Sequence, residues 1–261
     1  MNRRQFSALG LASIASLALA ACGQNKASVD SIKKAGSVKV GTEGTYKPFT
    51  FHAQAGSPLS GYDVDVMNAV AQQLGVKAEY QETQWDAIFA GLDARRFDVI
   101  ANQVGINPER EQKYIFSTPY SHSKGVVVAK ADSSISSFAD LKGKKLAQSS
   151  TSNFGKQAKE AGAVITPVEG WAQSVELVKQ GRVEATVNDK LTVLDYLKSN
   201  PAAGVKIVAE DKTESASALM FRKDETELRD AVNKALETLK KNGTLAKLSK
   251  KYFGTDVSEK A

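Results

Sequence analysis

What most constrains this chain is a near-unbroken alternation of short apolar runs with amphipathic segments between residues 37 and 252. That pattern places strands and helices in turn, as in an α/β protein with mainly parallel sheets. Strands are expected at Ser37–Val40, Lys77–Tyr80, Phe97–Ala101, Gly125–Ala129, Lys144–Ala147, Val164–Val168, Ala185–Val187, Val205–Val208 and Ala216–Phe221. Helices are expected at Val64–Leu74, Asp86–Asp93, Ser137–Lys142, Asn153–Ala161, Ser174–Gln180, Leu191–Lys198, Glu225–Lys241 and Leu245–Tyr252. The first has Met67, Val70, Ala71 and Leu74 on one face. Leu228, Val232, Ala235, Leu236 and Leu239 stripe Glu225–Lys241, and Asn242-Gly243 supplies its left-handed end. So many strands are too many for one sheet at this length, so two smaller lobes are expected.

The N-terminus has a different chemistry. Arg3 and Arg4 precede an apolar or small-residue run, Leu9–Ala21, too short to span a bilayer. The run ends in Leu19-Ala20-Ala21-Cys22, which resembles a bacterial lipobox. Residues 1–21 are therefore expected to be a lipoprotein signal peptide. Cys22 would carry lipid on its thiol and amino group, and residues 22–28 would form a polar tether. The alternative is an ordinary secretory leader with an incidental cysteine. Cys22 is the sole cysteine, which excludes an intrachain disulfide and suits an anchor. Arg3-Arg4-Gln5-Phe6 also faintly resembles a twin-arginine export signal.

The net charge of +6 is a mild bias, and the lysines are scattered without interleaved aromatics. A nucleic-acid partner is not expected. No closely spaced metal-ligand cluster and no Gly-rich phosphate loop is present, so no metal or cofactor is expected.

The segment Asp98–Tyr120 carries the first chemical signal. The apolar run Val99-Ile100-Ala101 leads through a polar loop, Asn102–Ile106, to Asn107-Pro108-Glu109, a helix start with an Asn cap and Pro at the first position. Arg110 follows in the first turn, where a cation opposes the helix dipole. A bound anion would account for it, because a planar guanidinium takes a carboxylate through two parallel hydrogen bonds. The alternative is a surface arginine without a task.

Taken in order, several motifs resemble the bacterial family 3 solute-binding proteins, the polar amino-acid receptors of ABC transporters. They are Gly41-Thr42-Glu43-Gly44-Thr45-Tyr46-Lys47-Pro48-Phe49, Gly61-Tyr62-Asp63-Val64-Asp65, Trp85-Asp86 through Leu92, and Arg96-Phe97-Asp98-Val99. Gly105-Ile106-Asn107-Pro108-Glu109-Arg110, Phe116-Ser117-Thr118-Pro119-Tyr120, Leu141–Lys145, Gly181–Ala185, Lys241–Leu245 and Lys250–Gly254 follow. The resemblance covers residues 37–254. Glu43–Tyr46, Trp85-Asp86 and Asn102-Gln103-Val104 look most like the cystine-binding receptors.

The resemblance implies a two-lobe, type II periplasmic-binding-protein fold with two crossover strands and a ligand cleft that closes by hinge bending. Lobe one would be residues 29–119 plus 216–255, lobe two 120–215, and 256–261 a C-terminal tail. It also implies site roles. A free amino acid is a zwitterion, and burying it requires partners for both charges. Arg110 would take the carboxylate, with Gln103 and the backbone of Gly105. Ser149, Ser150 and Thr151 would add hydroxyls and N–H groups at a helix start. Ser149 stands where the family usually has Gly. Asp189 would take the α-ammonium, or be only a helix cap. Tyr46 and Trp85 would wall the ligand side chain, or pack in the core. Glu43 could face the distal ammonium of a cystine. Asn153 would touch ligand or cap its helix, and Tyr120 would sit near the first crossover.

The function expected is thus a lipid-anchored receptor, monomeric, on the periplasmic or extracytoplasmic face of a bacterial membrane. It would bind an L-amino acid, foremost L-cystine, with cysteine, glutamine or another polar amino acid as alternatives, and pass it to a permease. A dehydratase-like enzyme or a sensory module on the same scaffold are the other readings. His52 and His122 are the only histidines and lie in loops or strand ends, which gives an enzyme little to work with.

Overall fold

The computed structural model describes residues 27–260, so the expected signal peptide, Cys22 and residues 22–26 of the tether lie outside the described residues. In chain order the elements are α1 (Val29–Ala35), β1 (Ser37–Thr42), β2 (Thr45–Tyr46), β3 (Thr50–His52), β4 (Leu59–Ser60), α2 (Tyr62–Leu74), β5 (Lys77–Glu82) and α3 (Trp85–Asp93). There follow β6 (Val99–Ile100), α4 (Pro108–Lys113), β7 (Tyr114–Phe116), β8 (Ser121–Lys130), a 3-10 turn (Phe138–Leu141), β9 (Lys145–Gln148), α5 (Asn153–Glu160) and β10 (Val164–Pro167). The chain ends with α6 (Trp171–Lys179), β11 (Ala185–Asp189), α7 (Lys190–Ser199), β12 (Val205–Ser217), β13 (Met220–Arg222), α8 (Thr226–Lys241) and α9 (Thr244–Phe253).

Two five-stranded sheets organise these elements, in the orders β5-β1-β6-β13-β7 and β10-β9-β11-β8-β12. Each is the centre of one lobe. In each, three strands run parallel and the remaining pairings are antiparallel, so the sheets are mixed rather than mainly parallel. The cause is the passage between lobes: the strand that follows a crossing, β13 in the first lobe and β8 in the second, runs against the other four strands of its sheet. A small third sheet, β2-β3-β4, has strands of two or three residues, too short for any periodicity to announce them.

Both large sheets are covered on both faces, which is why their strands read as continuous apolar runs. In β8, Val126 and Val128 join one apolar cluster with Trp171 and Val175, while Val127 and Ala129 join another with Leu141 and Ala158. In the first lobe α2, α8 and α9 pack on one face, and Ile88, Leu92 and Phe97 on the other. Phe97 fits there because two glycines leave it room. A Cβ at Gly41 would lie 2.4 Å from its ring, and one at Gly91 2.6 Å.

The chain crosses between lobes twice, at residues 117–121 and 217–219. The crossings lie side by side: Ser117 N donates to Leu219 O at 2.9 Å and Tyr120 N to Ser217 O at 3.1 Å. β12 is one strand of 13 residues running from the outer edge of the second lobe to the crossing. Its middle carries register shifts and alternating polar residues, which hide its continuity in sequence. Beyond α9, Val257 and Ser258 are buried, and His122 N donates to Val257 O at 2.7 Å. The C-terminal residues thus lie against the start of β8 at the crossing.

Candidate functional site

Arg110 stands in α4, a helix started as its sequence requires: Asn107 Oδ1 accepts from Arg110 N at 2.9 Å, and Pro108 follows the cap. The guanidinium is buried, with its Cζ 5.3 Å from the ring centres of both Trp85 and Phe89. Nη1 donates to Gly105 O at 2.8 Å and Nη2 to Thr151 O at 3.2 Å. Among the described residues the arginines paired with carboxylates are Arg95, Arg222 and Arg229; Arg110 has no such partner. Burial pushes its pKa down to about 10. A buried cation held only by carbonyls and ring faces keeps a large electrostatic demand for an anion.

Asp189 presents the opposite case. It ends β11 and caps α7, with Oδ1 accepting from Leu191 N at 2.8 Å and from Ser123 Oγ at 2.7 Å. The expected helix-cap role of Asp189 is thus present. The carboxyl is buried, has no cation partner among the described residues, and is raised to about 6 by that burial.

Between the lobes lies a cleft with about 490 Å³ of empty space, part of it continuous with solvent. Of the expected site residues, Glu43, Tyr46, Trp85, Gln103, Ser149 and Asn153 line it. Arg110, Ser150 and Thr151 line an adjoining groove that shares Asn153. Gly105 lies where the two meet: a Cβ there would be 3.6 Å from Asn153 Nδ2 and 3.9 Å from Arg110 Nη1. Asp189 lines neither, but follows Asn188, which does line the cleft. Ser152, not Asn153, caps α5, through Gly155 N at 2.9 Å, because the chain is still extended at Ser152.

Glu43 follows β1 and exchanges two hydrogen bonds with Asn102: its N donates to Asn102 Oδ1 at 2.8 Å, and Asn102 Nδ2 donates to its carboxylate. Burial, with a smaller contribution from Asp86, raises its pKa to about 7. Tyr46 touches the cores of both lobes, and its hydroxyl donates to Asn188 Oδ1 at 2.7 Å. Trp85 packs edge-on against Phe89, and its buried Nε1 has no partner among the described residues. Gln103 has a left-handed backbone, φ 48°, which turns its N–H onto Asp63 Oδ2; its side chain bonds Ser121 Oγ instead of the Arg110 region.

Several residues were not foreseen as parts of this site. Asp63, quoted only within a motif, is fully buried; it accepts from Tyr120 Oη at 2.8 Å and is raised to about 7 by burial. Asp63 lies behind Gln103 and does not line the cleft, whereas Gln148, Asn188 and Trp171 do. Asp86 receives Ser150 N at 3.1 Å, Thr151 N at 3.0 Å and Thr151 Oγ1 at 2.6 Å. The amides expected to offer an anion site at this helix start do hold an anion, but one supplied by the other lobe. Among the described residues no group of three His, Cys, Asp or Glu side chains is placed to hold a metal ion.

The Asp86 contacts join the lobes, as do Lys47–Asp195 at 3.4 Å, Lys156–Glu109 at 3.2 Å and the Tyr46–Asn188 bond. The cleft is therefore closed. A probable amino-acid ABC transporter-binding protein of Haemophilus influenzae is 54% identical, over 88% of this chain and 90% of its own length. The L-cystine-binding protein TcyA of Bacillus subtilis is 49% identical, over 99% of this chain and 100% of its own. The L-cystine solute receptor of Neisseria gonorrhoeae, in an unliganded open conformation, is 51% identical over 90% of this chain and 100% of its own, with a TM-score of 0.61. That receptor is open, whereas the lobes of the present chain are tied across a shut cleft. The fold is the two-lobed type II periplasmic-binding-protein fold. The model of the bacterial extracellular solute-binding proteins, family 3, matches residues 38–255. The chain belongs to that family.

Proposed function

We propose that the protein is a lipid-anchored receptor for an L-amino acid, foremost L-cystine, that closes on its ligand and delivers it to the permease of an ABC importer. As a family member it is a solute-binding protein and not an enzyme. The observation that carries the ligand reading is a pair of buried, opposite charges without ion partners among the described residues: Arg110, which lines the groove adjoining the interlobe cleft, and Asp189, which follows cleft-lining Asn188. An α-amino acid supplies the two missing partners: its carboxylate for Arg110 and its ammonium for Asp189. Tyr46 and Trp85 wall the side chain. Glu43 meets a second ammonium, which cystine has and cysteine and glutamine lack.

The names of the similar proteins favour cystine. The division into lobe one (29–119 plus 216–255) and lobe two (120–215) follows the course of the two crossings. Anchoring through Cys22, a periplasmic or extracytoplasmic location and a monomeric state complete the proposal. A thermal-shift screen of the purified soluble body against the amino acids, cystine and small peptides tests it. Cystine is expected to raise the melting temperature most, because binding to the folded state alone stabilises it. A larger shift with glutamine, cysteine or arginine would replace cystine as the ligand, and no shift with any amino acid would reject the reading.

A further inference from the structure

Gln148 ends β9 and is 3% exposed, yet it lines the cleft. Which atom it offers there is settled by its neighbours. Its Nε2 donates to Val187 O at 3.0 Å and to Thr186 Oγ1 at 3.2 Å. A backbone carbonyl only accepts, so the NH2 end must face β11 and the carbonyl end must face away. Both N–H groups are spent there. Oε1 has no hydrogen-bond partner among the described residues and is not sealed from the cleft. A glutamine read from sequence could offer either polarity, but this one presents an acceptor alone.

A second acceptor, the Glu43 carboxyl, lines the same cleft. Val168 N donates to Gln148 O at 3.1 Å, and Ser149 Oγ to Glu169 O at 3.4 Å, so the end of β9 is tied to residues 168–169. The next residue, Gly170, faces Glu43 of the other lobe: a Cβ on Gly170 would lie 3.7 Å from Glu43 Oε1. Gln148 and Glu43 thus line one cleft from opposite lobes. A carboxyl and an acceptor-only amide around one space require a ligand group rich in N–H donors.

We propose that Gln148 Oε1, together with Glu43, receives the ammonium of a second amino-acid head, making Gln148 a specificity-determining residue for ligands with two such heads. The proposal rests on the amino-acid reading above, with the first head at Arg110 and Asp189.

The test uses two ligands. L-Cystine has both ammonium groups. The mixed disulfide of L-cysteine with 3-mercaptopropionic acid keeps the disulfide and both carboxylates but lacks one ammonium. Its single intact head belongs at Arg110 and Asp189, so the missing group falls at Gln148. Affinities of both are measured by calorimetry for the wild type and for Gln148→Met, which has similar length and no acceptor of comparable strength. Wild type is expected to prefer cystine by about tenfold or more, the scale of a hydrogen bond to a charged group. In Gln148→Met the preference is expected to shrink to about threefold or less. Because the readout is a ratio, a general loss of affinity does not imitate it. Gln148→Leu serves in the same way if the methionine variant does not fold. An unchanged ratio, with cystine still bound tightly, would overturn the role of Gln148 and leave the receptor reading standing. Failure of wild type to bind either disulfide would overturn both.

Discussion

A buried guanidinium held by two carbonyls and two aromatic faces is poised for an anion, and the proposed carboxylate role rests on this setting of Arg110. Arg110→Ala is expected to weaken amino-acid binding by at least 100-fold, the scale of a desolvated charge-assisted pair, while the free protein melts within about 2 °C of wild type. The stability is nearly unchanged because no carboxylate partner is orphaned by the substitution. Tight binding by the variant in a calorimetric titration would remove the carboxylate role. Glu43 gives a pH-dependent prediction. Its carboxyl titrates at about 7 in the free protein, so an ammonium that needs the ionised form binds better as pH rises. Cystine affinity should increase between pH 6 and pH 8, and Glu43→Gln should flatten that profile; a flat wild-type profile would count against the contact. Arg110 was legible in the sequence because an arginine in a first helical turn conflicts with the local dipole. Gln148 and Asp63 were not, because their meaning comes from partners 39 and 40 residues away.

At the scale of elements, the alternation of strand and helix was readable wherever a segment is long and one face is apolar, as in α2 and α8. It failed for β2–β4, which have no room for a pattern, and for β12, read as two pieces separated by an exposed polar middle. Strand direction was also illegible, since period-two patterning is the same for parallel and antiparallel neighbours. Contacts between elements of different lobes were least legible of all. The start of α3 is tied to the start of α5 by Asp86, through two backbone amides and one hydroxyl. No sequence pattern pairs residues 64 and 65 positions apart on separate lobes. These bonds exist only when the cleft is shut, so they stabilise the closed state selectively. Asp86→Ala is expected to weaken ligand binding about fivefold, as exposed hydrogen bonds of this kind contribute roughly 1 kcal/mol, and to enlarge the radius of gyration of the free protein. Unaltered affinity together with unaltered small-angle scattering would show that the clasp does not govern closure.

The whole molecule carries an imbalance around its cleft. Asp63 and Asp189 are buried and Glu43 is half-buried, and desolvation raises all three, to about 7, 6 and 7 respectively. Against them the cleft region sets one buried arginine. An acid whose folded pKa exceeds its unfolded value makes the folded state hold more protons than the unfolded chain between those two values. Stability must then fall as pH rises through that window, here from about 4 to about 7, and level off above it. The melting temperature of the free protein is therefore expected to drop by on the order of 5 °C between pH 5 and pH 8. This direction opposes the usual case of carboxylates stabilised by salt bridges, which lose stability on acidification. A ligand that brings ammonium groups to Glu43 and Asp189 cancels the cost of ionising them. Saturating cystine should then raise the melting temperature more at pH 8 than at pH 5. The free and saturated profiles should draw together toward acid, where the free protein's carboxyls are protonated and must give up that proton to pair with the ligand. Parallel profiles, with the same ligand-induced shift at both pH values, would show that neither carboxylate faces a ligand cation, whichever amino acid is bound.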